Sequence, residues 1–297
     1  MSRRDLFDLL LLAALWGASF LFLRYAVPTF GPVALIEVRV ALAAAVLLPW
    51  LWWRGGGAAL LTHWRPLLTV GLLNSALPFV LLSYATLTLT AGVASILNAT
   101  TPLWTAAVAA VWLGQRFGRR QWLGLALGWL GVAVLVWGKV DLRPGSSGFA
   151  VALSVGACLL ATFAYGLAAN FTRRRLASVE PRAVAAGSQA SAAVLLLPPA
   201  LLWWPSSPPP ATAWLAALAL GLACTALAYL LYFRLLARIG ALRAASVTFL
   251  IPVFATLWGA LFLAEALTLQ MLAGAAVVFA GTALALNLLP GQPRKPG

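Results

Sequence analysis

Between Arg65 and Arg116 the chain runs for fifty residues without a formal charge, and between Arg182 and Arg234 it does so for fifty-one. No soluble domain can place such stretches, because a globule must cover its surface with polar groups. A bilayer can: one helical crossing takes about 20 apolar residues, so each stretch holds two. The whole chain agrees, with 63% hydrophobic and 9% charged residues among 297. Runs this long point to helices and not to the short alternating segments of a β-barrel, since lipid offers no partner for a free backbone group. The expected fold is an all-α polytopic membrane protein of ten transmembrane helices.

Charge and turn signals divide the chain into spans near 7–25, 32–53, 66–86, 91–113, 121–138, 148–171, 183–204, 212–236, 243–263 and 270–288. Breakers mark the connections: Val27-Pro28 with Gly31-Pro32, the run Gly55-Gly56-Gly57, Pro144-Gly145-Ser146-Ser147, and Pro205 to Pro210. The N-terminal segment has the basic start and apolar stretch of a secretory signal, but it matches a later part of the chain and is expected to be retained. A formal charge of +14 might suggest nucleic acid; the basic residues, however, sit between apolar runs. With the N-terminus inside, sixteen of the twenty fall on one side, including Arg173, Arg174 and Arg175 and, in the tail, Arg294 and Lys295. Only Arg24, Lys139 and Arg143 fall on the other, and Arg39 lies within the second span. That is the positive-inside pattern, and it predicts cytoplasmic termini.

A repeat appears at an offset close to 150. Pro102, Gly124 and Gly131 return as Pro252, Gly274 and Gly281; Gln115 stands where Glu265 does; Arg39 stands opposite Gln189. Trp16-Gly17, Phe22 and Arg24 return one residue closer as Tyr165-Gly166, Phe171 and Arg173. The halves are expected at 1–142 and 143–297. Five spans in each is an odd number, so the second half must insert upside down. Two inverted halves can rock about one central site and open it to either side at similar energy, a recurrent plan of secondary transporters.

The run Ala14-Leu15-Trp16-Gly17-Ala18-Ser19-Phe20, with the paired Pro102/Pro252, Gln115/Glu265 and Gly124/Gly274, resembles the EamA family of the drug/metabolite transporter superfamily over residues 8–288. The resemblance implies a ten-helix transporter with a central pathway lined by spans one, three, four, six, eight and nine. The tryptophan-rich composition is similar to the aromatic amino-acid exporters of that family. The chain departs in carrying Gln115 where an acid is common.

Proline inside a span removes a backbone hydrogen bond and frees a carbonyl, so Pro102 and Pro252 are candidate hinges. Polar groups at membrane depth avoid lipid, which makes Ser19, Asn74, Ser75, Asn98, Thr101, Thr162, Asn170 and Thr248 candidates for the pathway. Ser and Thr can instead bond back to their own helix or glue helices together. Trp16, Tyr84, Trp104, Tyr165 and Trp258 add aromatic surface at depth, while Trp50, Trp52, Trp53, Trp64, Trp122, Trp137, Trp203 and Trp204 near span ends read as an interfacial belt. Glu37, Arg39 and Glu265 are the charges placed to reach the membrane region, and Arg39 reads as joining helices ahead of binding solute.

No span carries a central Asp, Glu or His for a proton relay, and Cys158, Cys224 and the single His63 give no metal site. No catalytic or nucleotide-binding motif occurs, so no cofactor and no enzyme activity are expected. The expected partners are lipid and a small-molecule substrate, with amino acids foremost, and nucleic acid is not one. A polytopic enzyme acting on lipid-linked substrates is the competing class, and nothing in the sequence sets an oligomeric state.

Overall fold

The structure, a computed structural model, describes residues 2–137 and 147–286. Lys139, Arg143, the connection at 144–146, the ends of the fifth and tenth expected spans (138 and 287–288) and the tail with Arg294 and Lys295 lie outside the described residues. The described chain is helical, in segments α1 (Arg3–Phe30), α2 (Pro32–Trp53), α3 (Trp64–Ala85), α4 (Ala91–Trp112), α5 (Arg119–Val136), α6 (Gly148–Arg175), α7 (Pro181–Leu202), α8 (Ala211–Gly240), α9 (Val247–Leu263) and α10 (Leu269–Ala285). Seven of them, α1 to α4 and α6 to α8, are long and apolar enough to cross a membrane.

The ends of α1 show how local chemistry sets length. Ser2 and Asp5 form a capping box that starts the helix at Arg3. Pro28, expected in a connection, instead lies inside the last turn; the chain leaves the helix at Gly31, whose φ of 73° few other residues adopt. Pro32 then opens α2 at a position that needs no N–H donor.

Helices in lipid gain little from burying apolar surface against each other and associate through close packing of small residues. α5 lies along α10 in this way. A Cβ on Gly124 would come 2.2 Å from the Ala285 backbone nitrogen, and one on Gly281 would come 2.2 Å from that of Gly128. α1 meets α9 at Gly17, 2.8 Å from the Ala255 nitrogen by the same measure, and α6 meets α4 at Gly166, 2.9 Å from that of Thr105.

α4 is not the continuous helix the sequence predicts. It stops at Asn98 and resumes at Thr101, so Pro102 sits in the first turn of a new helical segment, where a missing N–H costs nothing. Pro252 remains inside α9. Two wide π turns were unforeseen, Leu72–Ala76 in α3 and Ala219–Leu227 in α8. They stand about 150 residues apart, matching the sequence repeat.

Candidate functional site

The π turns flank a cavity of about 720 Å³ whose wall draws on α1, α2, α3, α4, α6, α7, α8 and α9. Trp16, Ser19, Asn74, Asn98, Thr101, Pro102, Tyr165 and Thr248, all expected on the pathway or its hinge, are in that wall. Trp16 packs its ring 5.6 Å from Tyr232 and 6.4 Å from Tyr229, two further wall residues. Among the described residues Ser19 Oγ and Asn98 Oδ1 have no hydrogen-bond partner.

The remaining candidates lie elsewhere. Ser75, Tyr84, Thr162, Asn170, Trp104, Trp258 and Pro252 are not in the wall. Ser75 accepts a bond from Gln189 Nε2 at 2.9 Å, and Thr162 lies 3.3 Å from the Thr100 hydroxyl. Tyr84 packs on the buried core around α4 and α6. Trp104 stands edge-on to Trp129 and Phe163, at 4.7 and 5.1 Å. Trp258 donates from Nε1 to the Ala14 carbonyl at 3.1 Å and lines a separate apolar crevice of about 630 Å³ with Tyr25 and Phe262. The carbonyls at the break in α4, which the proline was expected to free, accept from nearby hydroxyls: Leu97 O from Thr100 at 2.7 Å and Asn98 O from Thr101 at 2.8 Å.

Arg39 is the charged group that the sequence suggests joins helices ahead of binding solute. It is buried in the cavity wall, donates from Nε to Thr225 Oγ1 at 2.9 Å, and lies with its guanidinium 3.9 Å from the Phe79 ring centre. The Thr225 hydroxyl in turn donates to Leu220 O, five residues back, across the widened turn of α8. Glu37, two residues before Arg39, is also buried but is not in the wall.

The two ends of the cavity differ. Toward one end Leu23, Phe79, Leu82 and Ser95 are all buried. Beyond them Arg24 on α1 pairs with Glu265 in the α9–α10 connection and donates to the carbonyls of Thr86 and Leu89, at 3.2 and 3.0 Å. Glu265 also accepts from the Ala91 N–H at 2.9 Å, so one cluster ties α1, the start of α4 and the α9–α10 connection. The turn that aims Glu265 passes through Ala264 at φ 53°, a left-handed conformation unusual for a residue with a side chain. Toward the other end the wall runs out through exposed Arg173, Ala177 and Pro181. Arg173, the counterpart of Arg24, donates to Asn170 Oδ1 at 3.2 Å and pairs with no carboxylate among the described residues. Gln115, the counterpart of Glu265, is exposed.

Comparison with known proteins decides the family. The EamA-like transporter family model matches residues 6–137 and again 152–287. The chain belongs to the EamA-like transporter family. Within reach of this EamA chain, a probable amino-acid metabolite efflux pump of Salmonella typhimurium is 28% identical, covering 95% of the chain and 94% of that protein. An uncharacterized transporter of Archaeoglobus fulgidus is 23% identical over 92% of the chain and 95% of its own length. The uncharacterized transporter YdfC of Bacillus subtilis matches at 28%, but there the alignment spans about half of each, 48% of the chain and 47% of the relative. A crystal structure 20% identical shares the fold with a TM-score of 0.66 over 97% of the chain and 98% of its own.

Proposed function

We propose that the protein is a secondary transporter of the bacterial inner membrane that exports small metabolites, neutral and aromatic amino acids foremost, by alternating access through the central cavity. The proposal includes ten crossings in two inverted five-helix repeats, 1–142 and 143–297, with both termini cytoplasmic. The observation that carries it is the cavity itself: about 720 Å³ between the two halves, clasped at the Arg24 end and open at the Arg173 end. The positive-inside pattern assigns the open end to the cytoplasm.

Reciprocal contacts support the repeat. Arg39 reaches Thr225, and Gln189 reaches Ser75; the partners exchange halves at the same offset of 150. Gly17 against Ala255 has its counterpart in Gly166 against Thr105. Support for an aromatic body comes from the ring-lined wall, where a well-placed set of ring contacts contributes on the order of 1–3 kcal/mol, and support for an amino acid comes from the Salmonella relative, a probable amino-acid metabolite efflux pump. Weak recognition suits export from a high internal concentration, because a tightly held solute leaves slowly.

Proteoliposomes containing only this protein should release preloaded phenylalanine or tryptophan faster than lysine or glutamate. Absence of flux for every solute tried would defeat the transporter reading, and flux of other metabolites alone would defeat the substrate. In cells, an impermeant thiol reagent should reach Ser207→Cys from outside and leave Gly118→Cys untouched. The reverse pattern would invert the topology.

A further inference from the structure

Arg39 carries a positive charge into the wall of the central cavity, and no carboxylate pairs with it among the described residues. Among the described residues only Nε has a hydrogen-bond partner, Thr225, and the guanidinium lies against the Phe79 ring, which leaves the donors of the two terminal nitrogens without an acceptor. No Asp or Glu lines the wall among the described residues. A charge at membrane depth is expensive to keep, so an unpaired one calls for a reason.

Joining helices is not a sufficient reason, because the molecule performs that task twice and only once with a charge. Gln189 stands 150 residues after Arg39, and its Nε2 donates to Ser75 Oγ at 2.9 Å; Ser75 stands 150 residues before Thr225, which Arg39 Nε reaches at the same 2.9 Å. Both bonds tie the second helix of one half to the widened turn of the other. A neutral amide therefore suffices for the contact. The charge of Arg39 is surplus to it.

We propose that Arg39 anchors the carboxylate of the transported solute, a carboxylic acid carrying an apolar or aromatic body. This rests on the transporter reading above and names the group by which that site selects. A guanidinium offers paired N–H donors matched to the two oxygens of a carboxylate, and with Nε committed to Thr225 the terminal nitrogens remain for that contact. Trp16, Tyr165 and Tyr229 line the same cavity and receive the body of the solute. Ser19 Oγ and Asn98 Oδ1, unpartnered in the wall, offer neutral acceptors to an ammonium group when the solute has one. An amine without a carboxylate keeps the ring and acceptor contacts but meets the repulsion of Arg39 with nothing to offset it.

Three probes with one ring and different head groups test this on the purified full chain: phenylalanine, 3-phenylpropionate and phenylethylamine. Both carboxylates should bind at least about tenfold more tightly than the amine, a difference of about 1.4 kcal/mol. Arg39→Gln copies the contact made by Gln189, so the variant should keep the thermal unfolding midpoint of the parent while losing the gap between acids and amine. Arg39→Lys should keep part of it. The proposal is overturned if the parent binds the amine as well as the acids, if Arg39→Gln retains the full preference, or if neither acid binds. In that last case, flux of other solutes in liposomes would leave the transporter reading standing.

Discussion

The two ends of the cavity are built from equivalent residues and finished differently. At one end Arg24 meets Glu265, with side chains only 12% and 8% exposed, and the backbone of the α3–α4 connection completes the cluster. At the other end Arg173 stands at the equivalent place, but Gln115 replaces the acid and Arg173 settles for Asn170. The clasped rim has a carboxylate that the open rim lacks at the equivalent position. A duplicated fold therefore needs no change in its frame to prefer one side; it needs an asymmetry in what the frame holds at its rims.

The largest effect expected from breaking this comparison comes from Glu265→Gln. Removing one partner of a buried ion pair leaves the other charged and uncompensated, which costs about 3–5 kcal/mol in buried settings. In a chain with Cys158 and Cys224 replaced by alanine, Asn98→Cys should then react with an impermeant thiol reagent from the Arg24 end at least about tenfold faster. Unchanged labelling would mean that something other than the pair closes that end.

A smaller effect should follow at positions where the halves are alike. Gly17→Ala and Gly166→Ala each place a methyl within 3 Å of a neighbouring backbone, so each should lower stability by about 1–3 kcal/mol and by similar amounts. Thermal unfolding of the two variants side by side checks this. A large disparity would show that the halves differ in their frame as well as at their rims.

The smallest effect sharpens the comparison in reverse. Gln115→Glu supplies the missing acid opposite Arg173, but both positions are exposed, and exposed pairs contribute about 0.2–1 kcal/mol. Labelling of Asn98→Cys from the Arg173 end should slow by at most a few-fold, and the slowing should fade at high salt. A slowing that survives high salt would mean that the new acid acts by filling space.

Sequence reading reached the frame because hydrophobic runs and breakers are local. α2 was expected at 32–53 and stands at Pro32–Trp53, since Pro32 and the Trp52-Trp53 end are marked in the chain itself. The π turns were not legible. The Thr225 hydroxyl that reaches Leu220 across one of them looks in sequence like any threonine in an apolar helix. Pro102 was legible as a candidate hinge inside a span, but not that the helix stops outright in the turn before it, at Ala99 and Thr100. For the site, eight of the candidate residues stand in the wall of one cavity, and Trp104 and Trp258 pack elsewhere because depth along a helix does not fix the direction a ring faces. Arg39 opposite Gln189 was visible as a pair of letters. Its meaning depended on Ser75 and Thr225 standing across from them, which only the folded chain displays.

The lone charge of Arg39 also has an electrical consequence. One elementary charge moved through 100 mV of membrane potential changes in energy by about 2.3 kcal/mol. Under alternating access, water reaches Arg39 first from one face and then from the other, so the fraction of the voltage that falls across it differs between the two states. On the proposed mechanism a bound acid that lacks an amine cancels the charge and with it that dependence, whereas a zwitterionic amino acid brings no net charge and leaves it in place. The empty carrier would then return under the influence of the voltage, and one loaded with such an acid would cross nearly indifferent to it.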